Sequence, residues 1–413
     1  MLIVQKFGGS SVADAEKIMR VAAYIAAQHQ KGHQLIVVLS AQGDTTDDLR
    51  EKALAIHPDP SKREMDMLLA TGEQQSAALM AMALHKLSCP AVSLTGMQAG
   101  IYSSSNYSNA RIRKIDVTRI NEELERKNIP LVAGFQGYNR YGDITTLGRG
   151  ASDTTAVALA AATHADLCEI YTDVDGVYTC DPRIVPQAKK LDSITYEEML
   201  ELAALGVQVL HSRCVELAKK YHVKLVVRSS YTWSEGTTIK DETPKEDQRM
   251  ESTFVSGIAI DKNIARISVV GVKDEPGTAF RLFSLLAKRK ISVDIILQSI
   301  GRNKTKDITF TVAKIDLKDA LDTLENNKEF ILCDHVSHDD KIAKLSVVGA
   351  GMASNPGVAA TMFEALYGGG INIQMISTSE IKISVLIDER DVENGAKYVH
   401  DIFFEQQMIQ PSS

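Results

Sequence analysis

The chain has 413 residues, an ordinary globular composition and a formal net charge of −7, and its length allows about two or three domains. The acidic balance argues against a nucleic-acid partner, which would need a basic patch, and no apolar stretch approaches the ~20 residues of a membrane span. The five cysteines are widely spaced without a C-x-x-C pair, which predicts free, mostly buried thiols in a reducing compartment. We therefore expect a cytoplasmic protein that binds neither nucleic acid nor membrane.

Up to about residue 240, short apolar runs alternate with helical patterns. The runs are rich in Val, Ile and Leu with little polar alternation, as expected of strands buried on both faces. They predict strands at 2–7, 34–40, 91–95, 129–137, 166–172 and 224–230, with helices at about 12–28 (capped at Ser11 or Asp14), at 64–87 and from Ser152 onward. This alternation indicates an α/β fold with a mainly parallel sheet, in which ligands bind at the carboxyl ends of strands.

A polar, charged stretch follows, and we assign a linker to residues 241–253. Beyond it the sequence repeats itself. Residues 264–271 resemble 342–349, and the Pro-Gly pair at 276–277 recurs at 356–357. The repeat predicts two small domains of similar fold.

Each copy is predicted to run strand, Pro-Gly turn, helix, strand, strand, helix. We place the copies at 264–335 and 342–410, the first closing with a strand near 330–335. The strand-like run 254–260 is free to complete the sheet of the second copy, because an unpaired sheet edge is a liability.

The first predicted strand ends at Lys6 and passes into Gly8, Gly9 and Ser10 before a helical pattern. This arrangement places several hydrogen-bond donors at one point: an ammonium, the N–H groups of a Gly-Gly turn, a hydroxyl and a helix N-terminus. Such a cluster of donors is suited to binding phosphate. The motif is not a Walker A loop, because its lysine precedes the glycines. A tight turn carrying a surface lysine is the alternative interpretation.

A second glycine turn leads into the helix predicted from Ser152. Gly148 and Gly150 allow the backbone to approach a ligand closely, and Arg149 between them offers a guanidinium fork for a carboxylate. Ser152 and Asp153 fall at the helix start, where N-capping is the structural alternative.

A third loop, 172–183, follows a strand and carries acidic residues, a tyrosine and an arginine. Its Asp-Gly and Asp-Pro pairs are also ordinary turn residues. The sequence lacks EF-hand spacing, metal-ligand spacing and a nucleophile elbow, so we predict no dedicated metal site.

Five blocks, in order along the chain, resemble the aspartate kinases, members of the amino-acid-kinase superfamily with tandem C-terminal ACT domains. They are Lys-Phe-Gly-Gly-Ser at 6–10, Val-Leu-Ser-Ala at 38–41, Thr-Gly-Glu at 71–73, Thr-Leu-Gly-Arg-Gly-x-Ser-Asp at 146–153 and Tyr-Thr-Asp-Val-Asp-Gly-Val-Tyr at 171–178. Ala151 stands where the family usually has a second glycine. The resemblance implies a kinase domain at 1–240 and two ferredoxin-like (βαββαβ) ACT domains.

The resemblance also implies ATP-dependent phosphorylation of the L-aspartate β-carboxylate to 4-phospho-L-aspartate, in lysine, threonine and methionine biosynthesis. Lys6 would offset the repulsion between the γ-phosphate and the attacking carboxylate, with Asp153 as its organiser. No general base is needed, because the nucleophile is ionised at neutral pH.

In the same way, Arg149 would bind the α-carboxylate of aspartate and Glu73 its ammonium, although a helical glutamate is by itself more often a solvated surface residue. The implied substrate contacts are Ser40, Thr46, Glu73, Arg149, Gly150 and Ser152. The implied ATP contacts are Lys6, Gly8, Gly9, Ser10, Ser152, Thr172, Asp173, Tyr178 and Arg183, with Mg²⁺ carried mainly by the phosphates.

For the two repeats, the resemblance implies amino-acid sensors that respond to lysine, threonine or both. The implied effector contacts are Asp274, Pro276, Gly277, Thr278, Ala279, Ser292, Val293, Asp294, Gln298, Thr378 and Ser379. It also implies a homo-oligomer formed through the ACT domains, or an α2β2 assembly whose regulatory subunit starts near Met250. An ordinary linker methionine explains Met250 equally well.

Two alternatives stay open. One is another amino-acid kinase of the same fold, such as a glutamate or acetylglutamate kinase, although these generally lack tandem ACT domains. The other is a catalytically silent amino-acid sensor, against which the intact Lys6, Ser40, Glu73, Arg149 and Asp153 argue.

Overall fold

The computed structural model describes residues 1–148, 150–207, 209–241, 255–299, 305–350, 352, 355 and 357–405. Packing divides the chain into a first unit (1–178, 189–204 and 208–250) and a second unit (179–188, 205–207 and 251–413). Two short segments from within 1–240 therefore pack in the second unit. Residues 242–254, which include most of the predicted linker and Met250, lie outside the described residues.

The first unit holds twelve strands and eight α-helices among its described residues. The strands are β1 (Leu2–Phe7), β2 (Gln34–Leu39), β3 (Ala91–Leu94), β4 (Ile101–Ser103), β5 (Ile112–Ile115), β6 (Ile129–Ala133), β7 (Gln136–Tyr138), β8 (Ile144–Thr146), β9 (Leu167–Thr172), β10 (Ser193–Thr195), β11 (Leu225–Ser229) and β12 (Thr237–Lys240). The helices are α1 (Ala15–Gln30), α2 (Thr45–Ile56), α3 (Lys62–Leu69), α4 (Thr71–Lys86), α5 (Thr118–Glu125), α6 (Ala151–Ala162), α7 (Tyr196–Ala204) and α8 (Ser212–Lys220).

Eight of these strands form one sheet in the order β10-β12-β11-β9-β1-β2-β6-β3. Every neighbouring pair is parallel except β11 and β12. The mainly parallel sheet predicted from the apolar runs is thus confirmed, and β1 and β2 are buried over almost their whole length. A separate four-stranded sheet has the order β5-β4-β7-β8.

Several predicted boundaries were wrong. Helix α1 begins at Ala15 rather than near residue 12, because Gly9–Val12 forms a 3₁₀ turn and the Asp14 carboxylate then caps the helix by accepting the Lys17 N–H. The helix predicted at 64–87 is two helices that meet at Ala70. The strand predicted at 129–137 is interrupted after β6, where Phe135 takes a φ of 66° that an extended strand cannot accommodate.

The second unit contains the two repeats. Its strands are β13 (Gly257–Asp261), β14 (Ala265–Lys273), β15 (Ile296–Gln298), β16 (Thr305–Val312), β17 (His335–Asp339), β18 (Ile342–Val348), β19 (Met375–Thr378) and β20 (Lys382–Asp388). Its helices are α9 (Thr278–Lys288), α10 (Leu317–Glu325), α11 (Lys328–Ile331), α12 (Gly357–Gly368) and α13 (Val392–His400).

The repeats form two antiparallel four-stranded sheets, in the orders β17-β14-β16-β15 and β13-β18-β20-β19. Strand β13 pairs with β18, Ile258 opposite Val347, in the position that β17 takes beside β14. A strand that precedes both repeats thus completes the sheet of the second. The closing strand of the first repeat begins at His335, and Phe330, predicted to lie in that strand, is in α11.

The segment 179–188 packs into the apolar core of the second repeat. Cys180 and Val185 are buried in that core. The Thr179 carbonyl accepts the Ile258 N–H at 2.7 Å, and the Thr179 hydroxyl lies 3.0 Å from His400 Nε2. These contacts join the segment to both β13 and α13.

All five cysteines are free, and four of them are buried, which confirms the thiol prediction. Among the described residues, no helix has both the length and the apolar character needed to cross a membrane.

Candidate active site

The parallel strands bring several predicted site residues to one edge of the sheet. Phe7, near the end of β1, is in register with Leu39 of β2 and Tyr171 of β9, and Leu39 is in register with Ala133 of β6. The loops that follow these strands must therefore emerge side by side.

A cavity of about 660 Å³ opens among these loops. Eight of the predicted contact residues line it, namely Lys6, Gly9, Ser40, Thr46, Glu73, Gly150, Ser152 and Asp153. They come from four different loops and helix starts, so the fold collects at one place residues that are up to 147 positions apart in the sequence.

An ion pair lies at the end of β1. Lys6 Nζ is 2.6 Å from Asp153 Oδ1, and each side chain is only 11% exposed. Asp153 lies in the first turn of α6, where the helix dipole favours a carboxylate. The start of α6 approaches Gly134 closely, since a Cβ at Gly134 would lie 2.8 Å from Ser152 Oγ. The lysine is thus held in one orientation at the cavity.

Glu73 lies in the first turn of α4 and is 4% exposed. Its Oε1 accepts the Ala41 N–H at 3.3 Å, whereas its Oε2 has no hydrogen-bond partner among the described residues. Burial raises the pKa of Glu73 to about 8, although backbone hydrogen bonds oppose the shift. A buried carboxylate with one oxygen unpartnered, lining a cavity, is suited to binding a cationic group.

The second glycine turn has left-handed backbone on both sides of residue 149. The φ of Gly148 is +90° and that of Gly150 is +67°. Gly150 is the N-cap residue of α6, so N-capping, the structural alternative for Ser152 and Asp153, is wrong for both. Arg149 itself lies outside the described residues.

The glycines of the first turn act differently from the prediction. The Gly8 N–H donates to the Tyr171 carbonyl at 3.1 Å, extending the sheet, so the prediction that this group is free for phosphate was wrong. Gly9 meets the loop after β2, since a Cβ there would lie 2.6 Å from the Ala41 carbonyl oxygen. Ser10 does not line the cavity, and its carbonyl accepts the Tyr231 hydroxyl.

The residues predicted from the third loop do not line this cavity. The Thr172 hydroxyl donates to Asp173 Oδ1, and the Tyr178 hydroxyl donates to Asp175 Oδ1. The bond to Asp175 raises the pKa of Tyr178 to about 12. Arg183 belongs to the segment in the second unit, where its guanidinium is bonded to Asp181 and its side chain is 85% exposed. Their role in nucleotide binding stays a prediction.

Sequence reasoning missed much of the cavity wall, including Arg50, Lys62, Met65, Ser108, Phe135 and Thr146. It also missed two residues behind the wall, Asp66 and Arg213, which are hydrogen-bonded to the main chain of wall residues or their neighbours. Their partners are distant in sequence, so no local signal in the sequence could have found them.

The predicted effector residues of the first repeat lie around α9 and the strand that follows it. Gly277 is the N-cap residue of α9, with a φ of +93°. The Asp274 carboxylate is paired with Lys306 at 2.7 Å. The Thr278 side chain is buried, and its hydroxyl donates to the Lys273 carbonyl.

Asp294 is linked to the second repeat. Its carboxylate lies 2.5 Å from Lys344 Nζ of β18, and Lys344 is only 4% exposed and also lies 3.6 Å from Asp261. The predicted effector residue is therefore part of an ion-pair cluster that joins the repeats. In the second repeat, Thr378 ends β19 and Ser379 follows it.

Comparison with known proteins gives the family. Residues 1–229 match the amino acid kinase family, and residues 267–327 and 345–403 match the ACT domain. Over 406 residues the chain is 50% identical to an aspartokinase of Mycolicibacterium smegmatis, covering 97% of this chain and 96% of that one.

Two solved structures are also similar. One is E. coli aspartokinase III in complex with aspartate and ADP in the R-state, with a TM-score of 0.81, 25% identity, and coverage of 98% of this chain and 100% of that one. The other is the same enzyme in complex with lysine and aspartate in the T-state, with a TM-score of 0.75 and the same identity and coverage. The resemblance drawn from the five sequence blocks is confirmed, and the chain belongs to the aspartokinases of the amino acid kinase family.

Proposed function

We propose that the protein transfers the γ-phosphoryl group of ATP to the β-carboxylate of L-aspartate, giving ADP and 4-phospho-L-aspartate. The observation that carries this proposal is a single cavity lined by the Lys6–Asp153 ion pair and by the buried Glu73 carboxylate. The Lys6–Asp153 pair is suited to a transferring phosphoryl group, and the Glu73 carboxylate is suited to an α-ammonium. The aspartate and ADP named in the related R-state structure are consistent with both assignments.

Aspartate presents an ammonium and two carboxylates. Glu73 is the partner for the ammonium, because its unpartnered Oε2 is buried at the cavity. Ser40 and Thr46 line the same cavity and are assigned to placing the substrate. Arg149, assigned to the α-carboxylate, follows from the family resemblance.

The phosphoryl step brings two anions together. Lys6 offsets their repulsion and stabilises the charge that develops in the transition state. Asp153 does not act as a base, because it is paired with Lys6 at 2.6 Å and the attacking carboxylate is already ionised at neutral pH. Its role is to orient the lysine.

For the nucleotide, the assignment of Thr172, Asp173, Tyr178 and Arg183 rests on the family resemblance. Among the described residues, no group of three His, Cys, Asp or Glu side chains is placed to hold a metal ion. The family resemblance assigns Mg²⁺ to the ATP phosphates, where it would neutralise charge on the transferring group.

We assign the second unit to feedback regulation by lysine, threonine or both. The related T-state structure contains lysine, and the predicted effector residues from Asp274 to Ser379 lie in two ACT repeats. The proposal includes a homo-oligomer formed through these repeats or an α2β2 assembly with a regulatory subunit starting near Met250. The activity would supply lysine, threonine and methionine biosynthesis in the cytoplasm.

The test is ADP release with purified protein, ATP and Mg²⁺, in parallel reactions with L-aspartate, L-glutamate and N-acetyl-L-glutamate. We expect turnover with aspartate alone, and its suppression by lysine, threonine or the two together. Turnover with glutamate or N-acetylglutamate instead would assign another kinase of the same fold. Absence of turnover with all three would favour a silent sensor.

A further inference from the structure

Asp66, in α3, is a fully buried carboxylate with an unusual set of partners. No ion pair to it is found within the described part of the chain. It accepts hydrogen bonds instead from two residues that are 42 and 80 positions away. Charge-assisted bonds of this kind are the strong ones, and a buried carboxylate needs them.

The bonds fix main chain as well as side chains. The Ser108 N–H donates to both oxygens at 3.0 and 2.9 Å, and the Thr146 N–H donates to Oδ2 at 2.9 Å. The hydroxyl of Thr146 donates to Oδ1 at 2.8 Å, and that of Ser108 donates to the same oxygen at 3.3 Å. One carboxylate thereby joins two loops.

Both loops form the wall of the cavity. Ser108 and Thr146 line it, whereas Asp66 lies buried behind them. Thr146 is the last residue of β8, and Gly148 follows two positions later. Because glycine restrains its own backbone poorly, the turn depends on such outside contacts for a fixed position.

A cation completes the arrangement. Arg213 of α8 donates from Nη1 to the Leu147 carbonyl at 2.8 Å and from Nη2 to the Ala110 carbonyl at 3.0 Å. The Ala110 N–H in turn donates to the Thr146 carbonyl at 2.9 Å. Thus Asp66 collects N–H groups of the two loops and Arg213 collects their carbonyl groups.

We propose that Asp66 and Arg213 are positioning residues of the aspartate pocket, which hold its Ser108 and Thr146 wall in the geometry that binds the substrate. This inference rests on the proposed function, since it assumes that the cavity takes aspartate. Neither side chain touches substrate in this role. Each acts through the main chain that leads into the glycine turn.

A positioning role and a purely electrostatic role of Asp66 predict opposite changes in the KM for aspartate when the charge is removed. Asp66 places a negative charge behind a pocket for a dicarboxylate, so removal of the charge alone would lower the KM for aspartate. Loss of positioning raises it instead, because small displacements of binding groups are costly. Asp66→Asn keeps the side-chain shape while it replaces one acceptor oxygen with a donor.

The experiment measures kcat and both KM values for Asp66→Asn, Thr146→Val and Thr146→Ser. Glu64→Gln is the matched control, because Glu64 is on the same helix, is exposed and is bonded to Arg63. We expect Asp66→Asn and Thr146→Val to raise the KM for aspartate by about tenfold or more with the KM for ATP within about twofold. Thr146→Ser, which retains the donor hydroxyl, should raise the KM for aspartate less than Thr146→Val does, and Glu64→Gln should stay near the wild type.

An unchanged or lowered KM for aspartate in Asp66→Asn would overturn the proposal, as would equal rises in both KM values. If Asp66→Asn does not fold, the Thr146 pair decides: Val and Ser variants with the same KM for aspartate would overturn it. Arg213→Lys, which cannot bridge both carbonyls, should repeat the Asp66→Asn signature, and an unchanged KM for aspartate would contradict the part assigned to Arg213. Failure of the proposed function is distinguished by the wild-type protein, which would then show no aspartate-dependent turnover.

Discussion

Replacement of Glu73 by glutamine tests the assignment of the substrate ammonium. The change keeps the shape of the side chain and removes its charge at a position that is 4% exposed. Since the ammonium is bound in the ground state and in the transition state alike, we expect a higher KM for aspartate with little change in kcat or in the KM for ATP.

The size of the expected rise in the KM for aspartate follows from the burial of Glu73. Breaking a buried ion pair costs about 3–5 kcal/mol, and each 1.4 kcal/mol is about a factor of ten in affinity. In the free protein Glu73 accepts one N–H, from Ala41, at a long 3.3 Å, so most of its stabilisation would come from the substrate. We expect the KM for aspartate to rise on the order of a hundredfold at pH 8.5.

The effect depends on pH, with a definite sign. Burial raises the pKa of Glu73 to about 8 in the free protein, so the carboxyl is mostly protonated below pH 8 and must lose its proton to pair with the ammonium. Aspartate binding therefore weakens by about fiftyfold between pH 8 and pH 6 in the wild type. The raised pKa also lowers the free energy of unfolding of the free protein as pH rises from about 4.5 to 8.

The assay is the KM for aspartate from pH 6 to 8.5 in the wild type, Glu73→Gln and the control Glu64→Gln. The gap between wild type and Glu73→Gln should shrink from about a hundredfold at pH 8.5 to about one at pH 6, because the ionised fraction of Glu73 falls about 75-fold over this range. The control should follow the wild type. A wild-type KM that does not change over this range, or a Glu73→Gln profile parallel to it, would refute the reasoning.

Three further predictions concern other contacts. Lys6→Met should lower kcat by about a hundredfold or more without unfolding the protein, and stopped-time ADP assays with circular dichroism would reveal a near-normal rate if the assignment is wrong. Gly9→Ala should lower the free energy of unfolding by about 1–3 kcal/mol, because the new Cβ would lie 2.6 Å from the Ala41 carbonyl oxygen; urea unfolding without a shift would contradict this. Asp294→Asn should destabilise the second unit more than Lys344→Met does, because Asp294→Asn leaves the buried Lys344 ammonium with a weaker partner. Equal or reversed shifts of the thermal unfolding temperature would contradict a stabilising role for this ion-pair cluster.

The fold was largely predictable, because its main signals are local. Continuous apolar runs such as Gln34–Leu39 predicted buried parallel strands, and the observed sheet contains them. The misplaced boundaries have a common cause. Each depends on the backbone angles of a single residue, which the pattern of apolar and polar residues does not encode. Phe135, with its positive φ, and Ala70, between two helices, are the examples.

The site was predictable where its residues belong to a compact motif. The Lys6 turn and the glycine turn that ends at Asp153 could be read from donor chemistry and glycine spacing. Glu73 could not, since a glutamate early in a helix is usually solvated, and its assignment came from the family resemblance. Only the structure places its carboxylate in a buried position beside Ala41.

The residues behind the pocket were beyond sequence reasoning. Asp66 looks like an ordinary helical aspartate, and Arg213 like an ordinary basic residue near a helix start. Their partners are main-chain groups 42 to 103 positions away. Main-chain hydrogen bonding depends on the path of the chain rather than on the identity of the residue bonded, so the sequence carries no local mark of it.

The central claim is that phosphoryl transfer takes place to a carboxylate of aspartate at the Lys6 cavity. The most direct measurement traps the acyl phosphate with hydroxylamine and identifies the aspartyl hydroxamate by mass spectrometry, in the wild type and in Lys6→Met. We predict the β-hydroxamate of aspartate in an amount equal to the ADP released by the wild type, and almost none from Lys6→Met. ADP release without hydroxamate, or equal hydroxamate from both proteins, would contradict the account.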